Sequence, residues 1–314
     1  MRAVFLGSPA FAVPSLVALA RHNNIEIPLV VTQPDRPAGR GRALTPPAVK
    51  TAALELGLPV YQPDTLRDDA AVQPLRDDSP DLLIVVAYGE LLRRNVLELT
   101  PAGCLNVHPS LLPRYRGAAP IPAAILNGDA QTGVSIMKLV RKLDAGPIVA
   151  QFATDIGPDE TTATLSDRLA ELAARELPSV ALAYLAGDSA PVPQDDDAAT
   201  YTREWSTADA LIDWSHPADQ IERLVRAANP WPVAWTTDGE TRLRILTARI
   251  AATGTGQPPG TVAIVNGRVV VATGAGDLHL DLVQPAGKRA MPAADWWRGT
   301  RRATAVLGTS LDRS

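Results

Sequence analysis

Asp81-Leu82-Leu83-Ile84-Val85-Val86-Ala87-Tyr88-Gly89 is an almost unbroken apolar run closed by a glycine. A strand with one wet face alternates apolar and polar residues, whereas one that is apolar at every position is covered on both faces, as in parallel sheets sandwiched between helices. Arg2 to Gly7, Ile25 to Thr32 and Leu105 to His108 share this texture. Around them Phe11 to Arg21, Pro47 to Gly57, Leu66 to Asp77, Glu90 to Leu99 and Pro120 to Gly128 place apolar residues at helical spacing. The alternation predicts an α/β, doubly wound, mostly parallel sheet. Ligands of such sheets sit at the carboxyl ends of the strands, which directs attention to the segments after Gly7, Ala87 and His108.

Farther along, a helix is predicted over Thr162 to Leu185, followed by a proline-rich and acidic stretch from Gly187 to Asp197 that reads as a linker. Beyond it the texture changes. Thr237-Asp238-Gly239-Glu240 and Val265-Asn266-Gly267-Arg268 are hairpin signals between β-rich runs such as Leu243 to Ile250 and Val269 to Thr273. All six tryptophans lie past residue 200, and Trp231 and Trp235 are read as core. The expected division is a larger domain over 1–189, a linker over 190–206, and a smaller β-barrel domain over 207–314 opened by a helix at Pro217 to Ala228.

Of 314 residues, 46% are hydrophobic, which excludes disorder as the main state. The formal net charge of −4 excludes a protein that coats nucleic acid by bulk basicity, but not one with a local basic patch. Charge is uneven: 12 basic against 10 acidic residues after position 206, and 18 against 24 before it. One cysteine, Cys104, and four scattered histidines provide neither a disulfide framework nor metal-ligand spacing. No apolar run is long enough to span a membrane and no signal-peptide core opens the chain, so a cytoplasmic protein is expected. Gly7-Ser8-Pro9-Ala10-Phe11 lacks the later glycines of a dinucleotide fingerprint, and no Walker sequence occurs, which disfavours a nicotinamide or ATP enzyme.

Alternate strand residues share a face, so Asn106 and His108 point the same way at the end of a strand, followed by a loop stiffened by Pro109 and Pro113. An amide beside an imidazole there can stabilise an oxyanion, or can simply satisfy loop backbone groups. Leu143-Asp144-Ala145-Gly146-Pro147 supplies a carboxylate on a turn, which either completes that set or only starts the turn.

Asn106-Val107-His108-Pro109-Ser110-Leu111-Leu112-Pro113 followed by Leu143-Asp144-Ala145-Gly146 resembles the signature of the folate-dependent formyltransferases. Gln33 to Arg42, Val85 to Gly89, Arg116 to Ile121, Ile212-Asp213-Trp214 and Arg226 to Pro232 resemble, in order, the branch that formylates methionyl-tRNA. The resemblance implies a Rossmann-like catalytic domain and an oligonucleotide-binding (OB-like) barrel. It also implies transfer of a formyl group from 10-formyltetrahydrofolate to the α-amine of methionyl initiator tRNA by a monomer that uses no metal. A sister enzyme acting on a small amine such as a sugar nucleotide is the nearest alternative, and a non-catalytic binder the next.

The family pattern carries Asn106, His108 and Asp144 over as the catalytic triad. It places the folate against Ser110, Leu111, Leu112 and Pro113 on one side and Val86, Tyr88 and Gly89 on the other. For tRNA it points to the loop bearing Arg36, Arg40, Arg42 and Lys50 and to Arg242, Arg244, Arg249, Lys288 and Arg289 on the barrel. Two departures stand out: Leu139-Val140-Arg141-Lys142 where the family has a small or acidic residue and a glycine before Leu-Asp, and Arg203 where it has lysine.

Overall fold

A computed structural model describes residues 1–38, 43–252 and 254–308. The chain forms two compact units. One comprises Met1–Pro120, Gln131–Asp155 and Ser166–Thr202; the other comprises Ile121–Ala130, Ile156–Leu165 and Arg203–Ser314.

The first unit carries β1 (Ala3–Gly7), β2 (Val30–Val31), a small hairpin of β3 (Arg36–Ala38) and β4 (Ala43–Thr45), β5 (Val60–Tyr61), β6 (Leu82–Val86), β7 (Cys104–His108), β8 (Arg116–Gly117), β9 (Gln131–Lys138), β10 (Ile148–Asp155) and β11 (Tyr201–Thr202). Among the described residues, β10-β9-β7-β6-β1-β2-β5 form one sheet, parallel from β7 to β5 and antiparallel where β9 joins β7 and β10 joins β9. Every residue of β1 and β6 is buried, as their unbroken apolar runs require. The crossover helices are α1 (Val13–Ala20), α2 (Ala48–Glu55), α3 (Asp69–Asp77) and the single turn α4 (Arg94–Leu97).

Two elements are shorter than their sequence suggested. Ile25 to Thr32 narrows to Val30–Val31 because Pro28 has no N–H to give a ladder, leaving only an isolated bridge from Arg2 to Glu26 before it. Glu90 to Leu99 narrows to α4 because the Glu90 carboxylate turns to accept bonds from the Thr65 hydroxyl and the Leu66 N–H, holding 90–93 out of the helix. The stretch read as a linker is ordered against the first unit through Tyr201–Thr202, and the change of unit falls between Thr202 and Arg203.

In the second unit, β12 (Trp235–Asp238), β13 (Thr241–Ile250), β14 (Thr261–Val265), β15 (Arg268–Ala272), β16 (Asp277–Pro285), β17 (Met291–Pro292) and β18 (Ala305–Val306) are joined antiparallel in the order β12-β13-β16-β15-β14-β18, with β17 on β16. A bridge between Asp238 and Leu307 brings the two ends together, making a nearly closed barrel. Asn266 and Gly267 both have positive φ (51° and 75°), as a two-residue hairpin turn needs. Beyond α5 (Pro120–Leu126) and α6 (Thr162–Ala186) come α7 (Ala218–Ala227) and α8 (Ala293–Thr300); α8 had no sequence signal strong enough to draw its bounds. Trp214, Trp235, Trp296 and Trp297 pack in this unit's core with Ile221, Leu280 and Val283. Trp231 does not: it lies in the turn after α7 and is 60% exposed, contrary to its reading as core.

Candidate active site

His108 is the last residue of β7 and is 5% exposed. Its Nε2 lies 2.9 Å from the backbone carbonyl of Tyr115. A carbonyl only accepts, so Nε2 carries the hydrogen, and the lone pair of the neutral ring sits on Nδ1. Nδ1 faces Asp144 Oδ2 at 3.7 Å, a distance for charge attraction but too long for a hydrogen bond. Burial pushes the imidazole below its ordinary pKa, opposed by the Asp144 carboxylate and by the Tyr115 carbonyl. The resting ring is therefore neutral, with a basic nitrogen beside a carboxylate ready to hold the cation it becomes on protonation.

Asn106, two residues back on β7, is half-buried, and its side-chain amide makes no hydrogen bond among the described residues. It is a free donor on the same strand face as His108. Cys104, next on that face, is buried in the core and its thiol is pushed up to about 12, so it offers no nucleophile.

Asp144 is tightly held. Its φ of +46° lies in the left-handed region, a conformation that costs about 1 kcal/mol for most residues and less for Asp or Asn, whose short polar side chains can bond locally. The Gly117 N–H donates to its Oδ2 at 2.8 Å. Two residues on, a Cβ at Gly146 would stand 1.7 Å from the Lys138 carbonyl oxygen, so only glycine lets the turn close against β9. The Arg141-Lys142 departure is accommodated on the surface, where Lys142 Nζ meets Asp196 Oδ2 at 2.5 Å.

The residues expected around a folate differ in exposure. Val86 and Tyr88 are buried, at 0% and 2% exposure, and burial drives the Tyr88 phenol pKa upward. Ala87 and Gly89 are exposed instead, with φ of 49° and 92°. This edge thus presents backbone groups, which suits a flat heterocycle rich in donors and acceptors. Ser110 spends its hydroxyl on the Arg114 carbonyl at 2.7 Å, while Ser135 Oγ receives the Leu112 N–H at 3.0 Å and donates to the Ser110 carbonyl. Leu112 is buried, and Leu111 and Pro113 are half-buried, so the loop is rigid with a partly apolar surface.

Among the basic candidates, Arg40 and Arg42 lie outside the described residues. Arg36 is exposed, bonded to Gln33 at 3.0 Å. Lys50 is committed: its ammonium reaches both Asp35 oxygens at 2.9 and 2.8 Å. On the barrel, Arg242, Arg244, Lys288 and Arg289 are all exposed, and none forms an ion pair among the described residues. Gln284 links two of them, accepting from Arg244 at 3.4 Å and donating to the Lys288 carbonyl at 3.0 Å. Arg249 instead pairs with Asp281 at 3.3 Å, and Arg203 with Asp209. No group of three or more His, Cys, Asp or Glu among the described residues is placed to hold a metal ion.

The model of the Formyl transferase family matches residues 1–181, more than half the chain, and that of the Formyl transferase C-terminal domain matches 205–301. The methionyl-tRNA formyltransferase of Roseiflexus castenholzii is 51% identical over 302 residues, covering 96% of both chains. The chain belongs to the methionyl-tRNA formyltransferases. Distant solved structures share the fold. HypX from Aquifex aeolicus in complex with tetrahydrofolic acid is 17% identical with a TM-score of 0.63, covering 94% of this chain and 46% of its own, so that this chain spans just under half of it. The N-formyltransferase from Helicobacter canadensis, complexed with folinic acid and dTDP-3-aminofucose, is 14% identical with a TM-score of 0.67 over 88% of this chain and 98% of its own. In this formyltransferase, His108 and Asp144, two of the residues expected from the sequence, face each other at 3.7 Å, whereas sequence reasoning missed Gln194, which grips the Asp144 turn, and Arg116, which holds Gln194. Arg116 stood only within a quoted motif, and Gln194 lay in the stretch dismissed as linker.

Proposed function

We propose that the chain moves a formyl group from 10-formyltetrahydrofolate to the α-amine of methionyl initiator tRNA in the cytoplasm. The observation that carries the reading is buried His108 at the carboxyl end of β7 facing the half-buried Asp144 carboxylate, with the unpaired Asn106 amide on the same strand face as His108. Bound there, the folate supplies an acyl carbon whose oxygen gains negative charge as an amine attacks. The Asn106 N–H answers that charge as an oxyanion donor. The amine turns cationic at the same moment and must lose a proton. Asp144 and the lone pair of His108 Nδ1 are the two acceptors at hand, taking it directly or through a water, and the resulting imidazolium is held by the carboxylate 3.7 Å away. Nδ1–H then becomes the donor that returns a proton to the departing nitrogen. No covalent adduct to the enzyme is needed, in keeping with a buried, unreactive Cys104.

Backbone groups at Ala87 and Gly89 and the loop from Ser110 to Pro113 hold the folate. Arg242, Arg244, Lys288 and Arg289 on the barrel, together with Arg36, Arg40 and Arg42, meet tRNA phosphates. Formyl transfer is measured with 10-formyltetrahydrofolate against methionyl initiator tRNA and, in parallel, an amino-sugar nucleotide. The tRNA is expected to be formylated far faster, and efficient formylation of the sugar with none of the tRNA refutes the reading.

A further inference from the structure

Gln194 occupies an unusual position. Its Nε2 donates to the Asp144 carbonyl at 2.8 Å and to the Gly146 carbonyl at 2.7 Å, while its Oε1 accepts from Arg116 Nε at 3.0 Å and Nη2 at 2.8 Å. A primary amide has two hydrogens to give and two lone pairs to receive them, and here all four are spent. Arg116, whose side chain is fully buried, is completed by Asp196 Oδ1 at 2.8 Å and the Tyr201 hydroxyl at 3.2 Å. All of these partners come from the segment between Val192 and Thr202, which is itself sewn down at both ends. Val192 exchanges backbone bonds with Ile148 at 2.8 Å, and β11 pairs with β8. β8 also carries Gly117, whose N–H holds the Asp144 carboxylate.

We infer that Gln194 is a positioning residue for Asp144, clamping the backbone of the 144–146 turn to Arg116 so that the carboxylate stays opposite His108 Nδ1. The inference rests on the reading of Asp144 as the catalytic carboxylate. A turn entered through a left-handed aspartate keeps its geometry only where its surroundings over-determine it, and the clamp grips the carbonyl of that same residue. The amide is chemically necessary. A carboxylate at 194 keeps the bond to Arg116 but cannot donate to the two carbonyls, and instead repels them.

Steady-state formylation of methionyl-tRNA by the full chain separates these roles in Gln194→Ala, Gln194→Met and Gln194→Glu, with thermal denaturation confirming that each folds. All three variants are expected to lose at least tenfold in kcat, with KM for the folate and for the tRNA within threefold of wild type. Gln194→Glu is expected to be no better than Gln194→Ala. If Gln194→Glu matches wild type while Gln194→Ala is impaired, Gln194 only supports Arg116 and the inference fails. It fails equally if kcat is unchanged or if the loss lies in KM. Should Gln194→Ala not fold, Gln194→Glu, which keeps the guanidinium contact, decides. A wild-type chain that formylates no amine overturns the catalytic reading beneath; an active wild type with unaffected variants overturns only this inference.

Discussion

The turn at Asp144 and the basic edge of the barrel are built on opposite plans. At the turn, Asp144, Gln194 and Arg116 are each held by two or more polar partners, His108 and Arg116 are buried and Asp144 and Gln194 half-buried, and the positions are fixed by backbone as much as by side chain. At the edge, Arg242, Arg244, Lys288 and Arg289 stand in solvent without ion pairs among the described residues, positioned by little more than strand register, the bonds to Gln284 and, for Arg242, the Trp235 ring beneath it. Chemistry needs a carboxylate and an imidazole placed to a fraction of an ångström, because proton transfer and charge stabilisation fall off steeply with distance. Binding a polyanion requires only that several charges be available, since each releases counterions independently. The comparison implies steep, non-additive losses at the turn and shallow, additive ones at the edge.

The largest effects belong to the turn. His108→Ala and Asp144→Asn are each expected to lower kcat by roughly 10²–10⁴-fold, and Asn106→Ala by about 10²–10³-fold, the usual loss of one oxyanion donor. Because the first pair acts as a unit, the double variant should be little worse than either single one. Asp144→Asn is expected to melt close to wild type, for asparagine also tolerates the left-handed conformation and can still accept from Gly117. Single-turnover formylation and thermal denaturation of the same preparations check both statements. Losses that multiply in the double variant would mean that the two side chains act separately.

The same contrast governs what was legible in the sequence. β1 and β6 were readable because a central strand in a parallel sheet is apolar at nearly every position, and in β7 Asn106 and His108 share a face by strand geometry alone. The Ile25 to Thr32 run was over-read since apolarity outweighed one missing donor at Pro28. Asp144 was readable as a candidate carboxylate on a turn, but only the resemblance chose between completing the set and starting the turn, as such a carboxylate carries no signature of the imidazole 36 residues earlier. Gln194 was invisible for the same reason: its bonds are to carbonyls and a guanidinium distant in sequence, and the proline and acidic content around it looks like a linker. On the barrel, alternation placed Arg242 and Arg244 together, but only the register pairing Arg244 with Gln284 brings the Lys288 turn beside them.

At the basic edge, each of Arg244→Ala, Lys288→Ala and Arg289→Ala is expected to weaken tRNA binding a few-fold and to reduce the slope of log affinity against log salt by about 1. kcat at saturating tRNA should not change. Arg242→Ala should show the same slope change with an added cost of about 0.5–1 kcal/mol in stability, because its guanidinium covers the Trp235 ring at 4.1 Å. Filter binding across a salt series measures the slopes, and the four losses should add within a factor of two. Strong non-additivity would place the edge on the same plan as the turn.

Lys50 provides the smallest expected effect and the sharpest discrimination. It sits in the basic stretch with Arg36, yet both oxygens of Asp35 hold its ammonium, and Gln62 donates to the same carboxylate at 2.8 Å. These bonds, led by that of Lys50, keep the Asp35 carboxyl below its ordinary pKa, so the carboxylate stays charged throughout the neutral range and lets go of the ammonium as acid protonates it. A cation already neutralised has no counterion to release on meeting a phosphate. Lys50→Met is therefore expected to leave the salt slope unchanged and the affinity within twofold of wild type, whereas Arg36→Ala lowers the slope by about 1. If Lys50→Met lowers the slope by the same amount, tRNA must displace Asp35 from the ammonium on binding. The loop would then rearrange around the nucleic acid, and the division between preformed and freely available charge would not hold at this edge of the first unit.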